Sequence, residues 1–459
     1  MSPTQAGVRQ ERRKAKARGP KLVLFPQPAK ARANAQADVQ LSSPCRIALV
    51  GFGTVGSAVA RLLQTRGDGS LRLTYVCNRN ISRKRVSWTS PDVVWTDSMK
   101  RVLASDADVV VELMGSLDPA HELVRQALSS GKSVVTANKQ LIAHSGHELL
   151  QLARSKGQYL GFGACVAGGV PVLSGLQDGL AGDRLVQIRG ILNGTCNFIL
   201  SRIEHANSSF ADALREAQHA GFAEADPSFD VDGQDAGAKL AILARFGLKV
   251  SVASDQVICR SIRDVSAVDF EYARELNCTI RQISLAYLRD GNLYLAVGPS
   301  LVSKDSPLAK VSGSQNLVVS TGEFGGETTF GGHGAGGDPT AVAVVSDLVQ
   351  AANHRRKRLA ASDHPLVADC MPMRDFESPQ YIRFVVRDRP GIIATLAAVF
   401  AKHRLNIDAI VQKPGYDKSA LPFVITLESC EGPGLDAAVR EISKFDFLLE
   451  PPLAMPVVQ

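Results

Sequence analysis

The chain has 459 residues, 45% hydrophobic and 21% charged, with a formal net charge of +7. That length suits two to four domains of about 150 residues, and the composition excludes a chain disordered throughout; no apolar run approaches the roughly 20 residues of a membrane span. The charge is local: residues 1–44 hold nine basic and two acidic side chains while the other 415 residues hold 43 of each sign, so the body is neutral and no nucleic-acid surface is expected.

Residues 1–44 are rich in Ala, Pro, Gln and Arg without apolar periodicity, which predicts a disordered basic tail and at most a weak polyanion contact. An Arg-rich, acid-poor start also suits an organelle transit peptide or an upstream-extended start. The eight cysteines, at 45, 77, 165, 196, 259, 278, 370 and 430, form no C-x-x-C pair and no cluster with histidine, the pattern of reduced thiols in a cytoplasmic protein. His144 and His147 share a helical spacing without a third ligand, so a surface helix is preferred to zinc.

From residue 45, strand and helix alternate. An apolar strand at 47–50 enters Gly51-Phe52-Gly53-Thr54-Val55-Gly56, and a helix follows at 57–64. Strands at 71–76, 109–113 and 133–137, with helices at 119–128 and 144–154, predict an α/β fold: a Rossmann-type, doubly wound parallel sheet over 45–155. G-x-G-x-x-G is a weak motif in a chain with 39 glycines, but between strand and helix it marks a dinucleotide-binding turn. Gly51 permits the turn, Gly53 lets the backbone approach a pyrophosphate, and Gly56 lets helix and strand pack, with Thr54 and Val55 completing the loop. About 20 residues on, where an NAD-selective carboxylate would stand, the chain reads Cys77-Asn78-Arg79-Asn80. This favours NADP over NAD, with Arg79 either on a 2'-phosphate or left as a solvated loop charge.

Residues 156–325 change character and predict an α+β substrate and dimerisation domain. A long strand at 185–192 and a helix from about 196 precede a capping box, Ser209-Phe210-Ala211-Asp212, whose helix Gly221 ends. Glu224, Asp226, Asp230, Asp232 and Asp235 then crowd ahead of Lys239. Asp235 and Lys239 are four apart and share a helical face, which on an anonymous helix would be a surface ion pair. Here Lys239 is the only polar side chain between 236 and 244, on a helix expected at 234–246 that looks buried nearly all round. Burial and the neighbouring carboxylate pull its proton affinity in opposite directions, and either outcome suits a proton-transfer group. A second glycine segment at 331–337 precedes a helix at 341–353, so 326–353 are expected to complete the dinucleotide-binding domain. Residues 354–376 are charged and irregular, hence a linker.

The last part, 377–459, reads strand (382–387), Asp388-Arg389-Pro390-Gly391 turn, helix (392–403), Asn406-Ile407, strand (423–428) and helix (435–445). This βαββαβ pattern resembles an ACT domain, a small-molecule sensing module. Asp388, Gly391 and Asn406 are its candidate effector residues: the turn opens a helix whose N–H groups suit a carboxylate, Gly391 permits close approach, and Asn406 offers side-chain polar groups. A dimerisation module without a ligand is the other reading.

Residues 46–350 resemble homoserine dehydrogenase, through Ala181-Gly182-Asp183-Arg184, Ile191-Leu192-Asn193-Gly194-Thr195, Gly221-Phe222-Ala223-Glu224-Ala225-Asp226-Pro227 and Asp235-Ala236-Gly237-Ala238-Lys239-Leu240-Ala241. The resemblance implies reversible NAD(P)-dependent interconversion of L-homoserine and L-aspartate 4-semialdehyde in threonine and methionine biosynthesis. It implies a homodimer or homotetramer, while the neutral body and the absence of a membrane-length apolar run speak for no nucleic-acid or membrane partner. The resemblance makes Lys239 the proton donor in the reductive direction, with Asp235 orienting it and contacting substrate, and Lys139 a second lysine near the nicotinamide. Glu224, Asp230, Asn193, Gly194 and Thr195 become substrate residues, while Ser116, Gly221, Gly334 and Gly336 lie beside the cofactor. The ACT-like module adds L-threonine as feedback effector.

The chain departs from that pattern at Gly163, where the family has Glu ahead of the carbonyls of Val166, Gly168 and Val170 that bind a monovalent cation. Binding of Na+ or K+ is therefore expected to be weakened. Ser116 also stands for Gly, Cys196 for Thr and His333 for Pro. Two other readings compete: an ACT-bearing 2-hydroxy-acid dehydrogenase, which would need an Arg/Glu/His set, and a degenerate amino-acid sensor. Gly163 favours the sensor; intact Lys139, Glu224, Asp235 and Lys239 oppose it.

Overall fold

The computed structural model describes residues 43–67, 69–252, 254–357, 370–373 and 375–458, so the expected tail up to residue 42 lies outside the described residues. β1 (Cys45–Val50), β2 (Leu71–Cys77), β3 (Val94–Thr96), β4 (Val109–Glu112), β5 (Ser133–Thr136) and β6 (Leu160–Gly161) form one sheet in the order 3-2-1-4-5-6. Every neighbouring pair is parallel. The near-continuous apolar runs explain this: Val109, Val110 and Val111 are all buried, as strands covered by helices on both faces require. The order reverses between β1 and β4, opening a crevice beyond their carboxyl ends.

The helix after the glycine turn runs Thr54–Arg66 and stops at Gly67, which adopts φ +67°. The helix expected at 144–154 starts five residues earlier, as Lys139–Ser155. Asn138 is the reason: its Oδ1 accepts the Leu141 N–H at 3.1 Å, an N-cap that satisfies an otherwise orphaned donor. Lys139 is thereby the first residue of a helix.

A mixed sheet of eleven strands holds the rest. β7 (Leu185–Ile191), β8 (Ile258–Cys259), β9 (Cys278–Arg289), β10 (Asn292–Ser303), β11 (Gln315–Gly322) and β12 (Gly326–His333) form its substrate-domain half, ordered β12-β11-β7-β9-β10. β12 corrects the expected boundary. Residues 326–333 do not return to the dinucleotide-binding domain but pair antiparallel with β11, because alternating small and polar residues in Gly326–His333 suit a half-exposed edge strand. Only the helix Gly337–Lys357 goes back, laying Ala341, Val344, Val345 and Leu348 against Val59 and the β1 core. The expected linker 354–376 likewise holds the end of that helix and β13 (Met371–Met373), paired with β10.

The C-terminal module is β14 (Ser378–Val386), helix Ile392–Lys402, β15 (Ile407–Val411), β16 (Leu421–Cys430), helix Gly432–Ile442 and β17 (Leu453–Val458), the expected βαββαβ. Its sheet order is β17-β14-β16-β15, with its own core of Phe384, Phe400, Phe423 and Leu396. It is not a separate bead: β17 pairs parallel with β10 at Leu301 and Val302, so the two sheets are continuous. The opposite face packs on helix Ala267–Glu275, where Tyr381 Oη donates to the fully buried Asp269 at 2.9 Å and Arg383 forms an ion pair with it.

Candidate active site

Beyond the carboxyl ends of β1, β4 and β5, three segments converge. In the first, Gly51 holds φ +102°, a region glycine alone occupies without strain, and a Cβ on Gly56 would stand 2.2 Å from the Gly51 carbonyl oxygen. Nothing lies within 4 Å of where a Cβ on Gly53 would be, and the helix opens with Thr54 and Val55 without a side-chain cap or an acidic first turn. The bare backbone and unspent N–H groups fit a pyrophosphate. Asn78 Oδ1 accepts the Phe52 N–H at 3.2 Å, which ties the turn after β2, and with it the exposed Arg79, to the glycine loop.

The second segment is the loop holding Gly334 and Gly336. It approaches so closely that a Cβ on Gly334 would collide with Asn316, and one on Gly337 would touch Thr54 Cγ2 at 3.0 Å. In the third, Glu112 at the end of β4 is fully buried and accepts from Thr136 Oγ1 and the Met114 N–H, each at 2.6 Å. Burial pushes its carboxyl above the usual range against those bonds. Asn138 Nδ2 donates to the Ser116 carbonyl at 2.7 Å, so the exposed Ser116 loop and Lys139 share one anchor.

The acidic loop and buried helix bring a polar cluster to the same crevice. Helix Gln234–Leu243 holds Asp235 at 2% exposure and ends in a wider turn, Ala244–Leu248. Lys239 Nζ donates to Asp235 Oδ2 at 2.7 Å and to the Leu192 carbonyl at 2.9 Å. Lys139 donates to the other oxygen, Oδ1. Asn193 Nδ2 joins two carboxylates, Asp235 at 2.9 Å and Asp230 at 2.7 Å. Burial pushes Asp235 up, but the Lys239 and Lys139 ammoniums outweigh it and hold the carboxyl well below the usual range. Asp230 goes the other way: burial, helped by the charge on Asp235, raises it despite the Asn193 bond. One ionised carboxylate between two lysines, with a second carboxylate beside it, can move a proton and hold an ammonium group.

Other expected residues sit at the rim or outside it. Gly194 begins helix Gly194–Ala206 against the Ser314 carbonyl, and Thr195 Oγ1 donates to the Phe222 carbonyl at 2.7 Å. Glu224 is exposed on the loop after Gly221, its own carbonyl accepting from Gln218 Nε2 at 3.1 Å. Cys196 is fully buried and its Sγ donates to the Asp230 carbonyl at 3.2 Å, a role threonine could also fill. At the expected cation loop, the Val170 carbonyl accepts the Val172 N–H at 2.8 Å. The carboxylate beside Gly163 comes instead from Asp347, whose Oδ2 accepts the Gly163 N–H at 2.8 Å. Burial pushes Asp347 up to about 7, opposed by that bond.

Asp388 and Gly391 precede the start of helix Ile392–Lys402, whereas Asn406 follows its end. Asn406 Nδ2 donates to Glu428. Sequence reasoning missed Glu112 and Asp347; each was visible as a lone carboxylate in an apolar run, on β4 and on helix Gly337–Lys357 respectively.

A doubly wound sheet with a bare glycine turn at its reversal point and a lysine-carboxylate cluster beyond β5 fits a nicotinamide-dependent oxidoreductase. Family profiles agree: Homoserine dehydrogenase matches residues 171–349, Homoserine dehydrogenase, NAD binding domain, matches 51–162, and ACT domain matches 380–447. A homoserine dehydrogenase of Synechocystis is 39% identical over 433 residues, covering 90% of this chain and 99% of its own, and one of Neisseria gonorrhoeae is 35% identical over 428, covering 90% and 98%. Among solved structures, a homoserine dehydrogenase from Thiobacillus denitrificans superposes with TM-score 0.83 at 32% identity, covering 91% of this chain and 98% of its own. A hyperthermophilic archaeal homoserine dehydrogenase in complex with NADPH gives 0.59 at 27%, covering 71% and 100%. The chain belongs to the homoserine dehydrogenase family, with a C-terminal ACT domain. No helix among the described residues is long and apolar enough to cross a membrane.

Proposed function

We propose that Lys239, Asp235 and Lys139 are the catalytic residues of an NADP-preferring, cytoplasmic homoserine dehydrogenase that works as a homodimer or homotetramer. The observation that carries this is the convergence of both lysines and Asn193 on one buried carboxylate, Asp235. A nicotinamide held at the glycine turn would supply the hydride acceptor for homoserine, or the hydride donor for the semialdehyde. In the reductive direction Lys239 delivers the proton to the substrate oxygen, and in the oxidative direction it receives it. Asp235 stays ionised and keeps Lys239 aimed; Lys139 stands at the helix start nearest the crevice. Asp230 and Glu224 take the substrate ammonium, with Asn193, Gly194 and Thr195 lining the pocket. The glycine turn, Ser116, Gly221 and the Gly334 to Gly336 loop hold the cofactor, and Arg79 its 2'-phosphate. A cation at Val166, Gly168 and Val170 has weaker support, because residue 163 brings no charge and one of the three carbonyls is engaged.

Threonine as effector follows from the ACT domain. Asp388, Gly391 and Asn406 are its proposed effector residues. The test is oxidation of NADPH or NADH with aspartate semialdehyde, titrated with threonine. A preference for NADPH and inhibition by threonine are expected. Preference for NADH would remove the role given to Arg79, and no response or calorimetric binding at millimolar threonine would reduce the module to a structural part.

A further inference from the structure

We infer that Arg263 is a positioning residue for the substrate carboxylate Asp230, and that residues 261–266 join that carboxylate to the ACT module. Asp230 lies on the short helical turn Ser228–Val231. Asp232, two residues on, was grouped in sequence with the acidic cluster, but it points elsewhere. Its Oδ1 accepts from Ser261 Oγ at 2.7 Å and Arg263 Nε at 2.9 Å, and its Oδ2 accepts from Arg263 Nη2 at 3.2 Å. The same Nη2 donates to Ser228 Oγ at 3.2 Å, and the Ile262 N–H donates to the Val231 carbonyl at 3.1 Å. Residues 261–263 therefore grip both ends of the turn that presents Asp230 to Asn193, and Asp232 just beyond it.

The next residues are held from the other side. Arg383 of β14 donates to the Asp264 carbonyl from both terminal nitrogens at 3.4 Å, and to Ser266 Oγ at 2.9 Å. Ser266 and Asp269 cap each other at the start of helix Ala267–Glu275, and Tyr381 Oη anchors Asp269. The backbone gripped by the ACT arginine is that of Asp264, the residue immediately after the arginine that grips the active-site turn.

A structural ion pair is the competing account, and exposure decides between them. Arg263 is 40% and Asp232 31% exposed, and pairs that open to water add little to global stability. Its effect is then local, on where Asp230 sits, and a displacement of about 1 Å in a binding group costs up to roughly 100-fold in rate.

The inference rests on Asp230 binding substrate, so Asp230→Asn is measured beside Arg263→Ala, Arg263→Lys and Tyr381→Phe. Arg263→Ala is expected to raise KM for homoserine roughly five- to tenfold, with kcat changed less, NADPH affinity kept and Tm nearly unmoved. Arg263→Lys, which keeps the charge but not the fork, should fall between. Tyr381→Phe, which loosens the anchor without stranding the buried charge, should raise KM in the wild type but not on top of Arg263→Ala, since the two act through one segment. A raised KM for Asp230→Asn with an unchanged KM for Arg263→Ala would overturn the clamp alone. An unchanged KM for Asp230→Asn would overturn the substrate role it depends on. Loss of Tm and of NADPH affinity together in Arg263→Ala would make the pair structural, and additive effects of the two variants would cut the link to the ACT module.

Discussion

Lys139 and Lys239, a hundred residues apart on two helices, donate to opposite oxygens of the same Asp235 carboxylate. Two ammoniums on one buried anion put positive charge at the crevice, suited to the oxygen that gains negative charge as the aldehyde is reduced. Lys239 is the more enclosed, at 15% exposure against 34% for Lys139, and it alone reaches the Leu192 carbonyl.

Lys239→Ala should lower turnover by roughly 10² to 10⁴, the usual weight of a general acid. NADPH affinity, measured by fluorescence quenching, should hold. Near-normal turnover in that variant would exclude Lys239 from proton transfer. Asp235→Asn should lose less, since it removes the orienting anion but not the proton donor.

Acid pH should raise KM for homoserine before it affects kcat. Asp230 is held above the ordinary carboxyl range by burial, so as pH falls it takes its proton earlier than a solvated aspartate and stops holding an ammonium. Asp235, held below that range, stays ionised through the same window. A pH profile of KM should flatten in Asp230→Asn; an unchanged profile would place the titrating group elsewhere.

Arg79→Ala should narrow the preference for NADPH over NADH by about tenfold, the low end of a hydrogen bond to a charged group at an exposed position. Rates with NADH should be untouched. Equal losses with both cofactors would mean that Arg79 only shapes the loop.

Asp347 predicts how stability changes with pH. Its carboxyl is pushed up to about 7 by burial beside Gly163, so between about 4 and 7 the folded chain binds a proton that the unfolded chain does not. Stability gained at the lower end is lost as pH rises through 7, on the order of 2 to 4 kcal/mol across the window. Asp347→Asn keeps an acceptor for the Gly163 N–H and should flatten that slope in thermal melts. Parallel slopes in the two proteins would show that the carboxyl titrates normally.

Much of this was legible in the chain. The glycine turn announced itself by its place after a strand, and Asp235 with Lys239 by a helix too apolar to leave a lysine in water. Local patterns could not carry the rest. Asn138 lies between the strand expected at 133–137 and the helix expected at 144–154, though it caps the helix that brings Lys139 to Asp235. The returning segment was read from its glycines, which fit an edge strand as well as a cofactor loop. Asp232 was grouped with Asp230 by sequence proximity, but its partner lies at Arg263, a contact between residues 31 positions apart. The continuity of the two sheets rests on a two-residue pairing at Leu301 and Val302, too short to leave a periodic signal.

The outer edge of β10 receives three short parallel strands in succession, β13 at Asn292 to Tyr294, β8 at Ala296 and Val297, and β17 at Leu301 and Val302. Two of the three come from the C-terminal third of the chain. Clipping the protein before residue 370 would therefore not free an intact catalytic half from its sensor. It would bare much of a twelve-residue strand, leave its N–H and C=O groups seeking other chains, and invite sticky, strand-adding association. Nature's graft of sensor onto enzyme is stitched rather than hinged, and the two are best separated by single-residue substitutions, not by scissors.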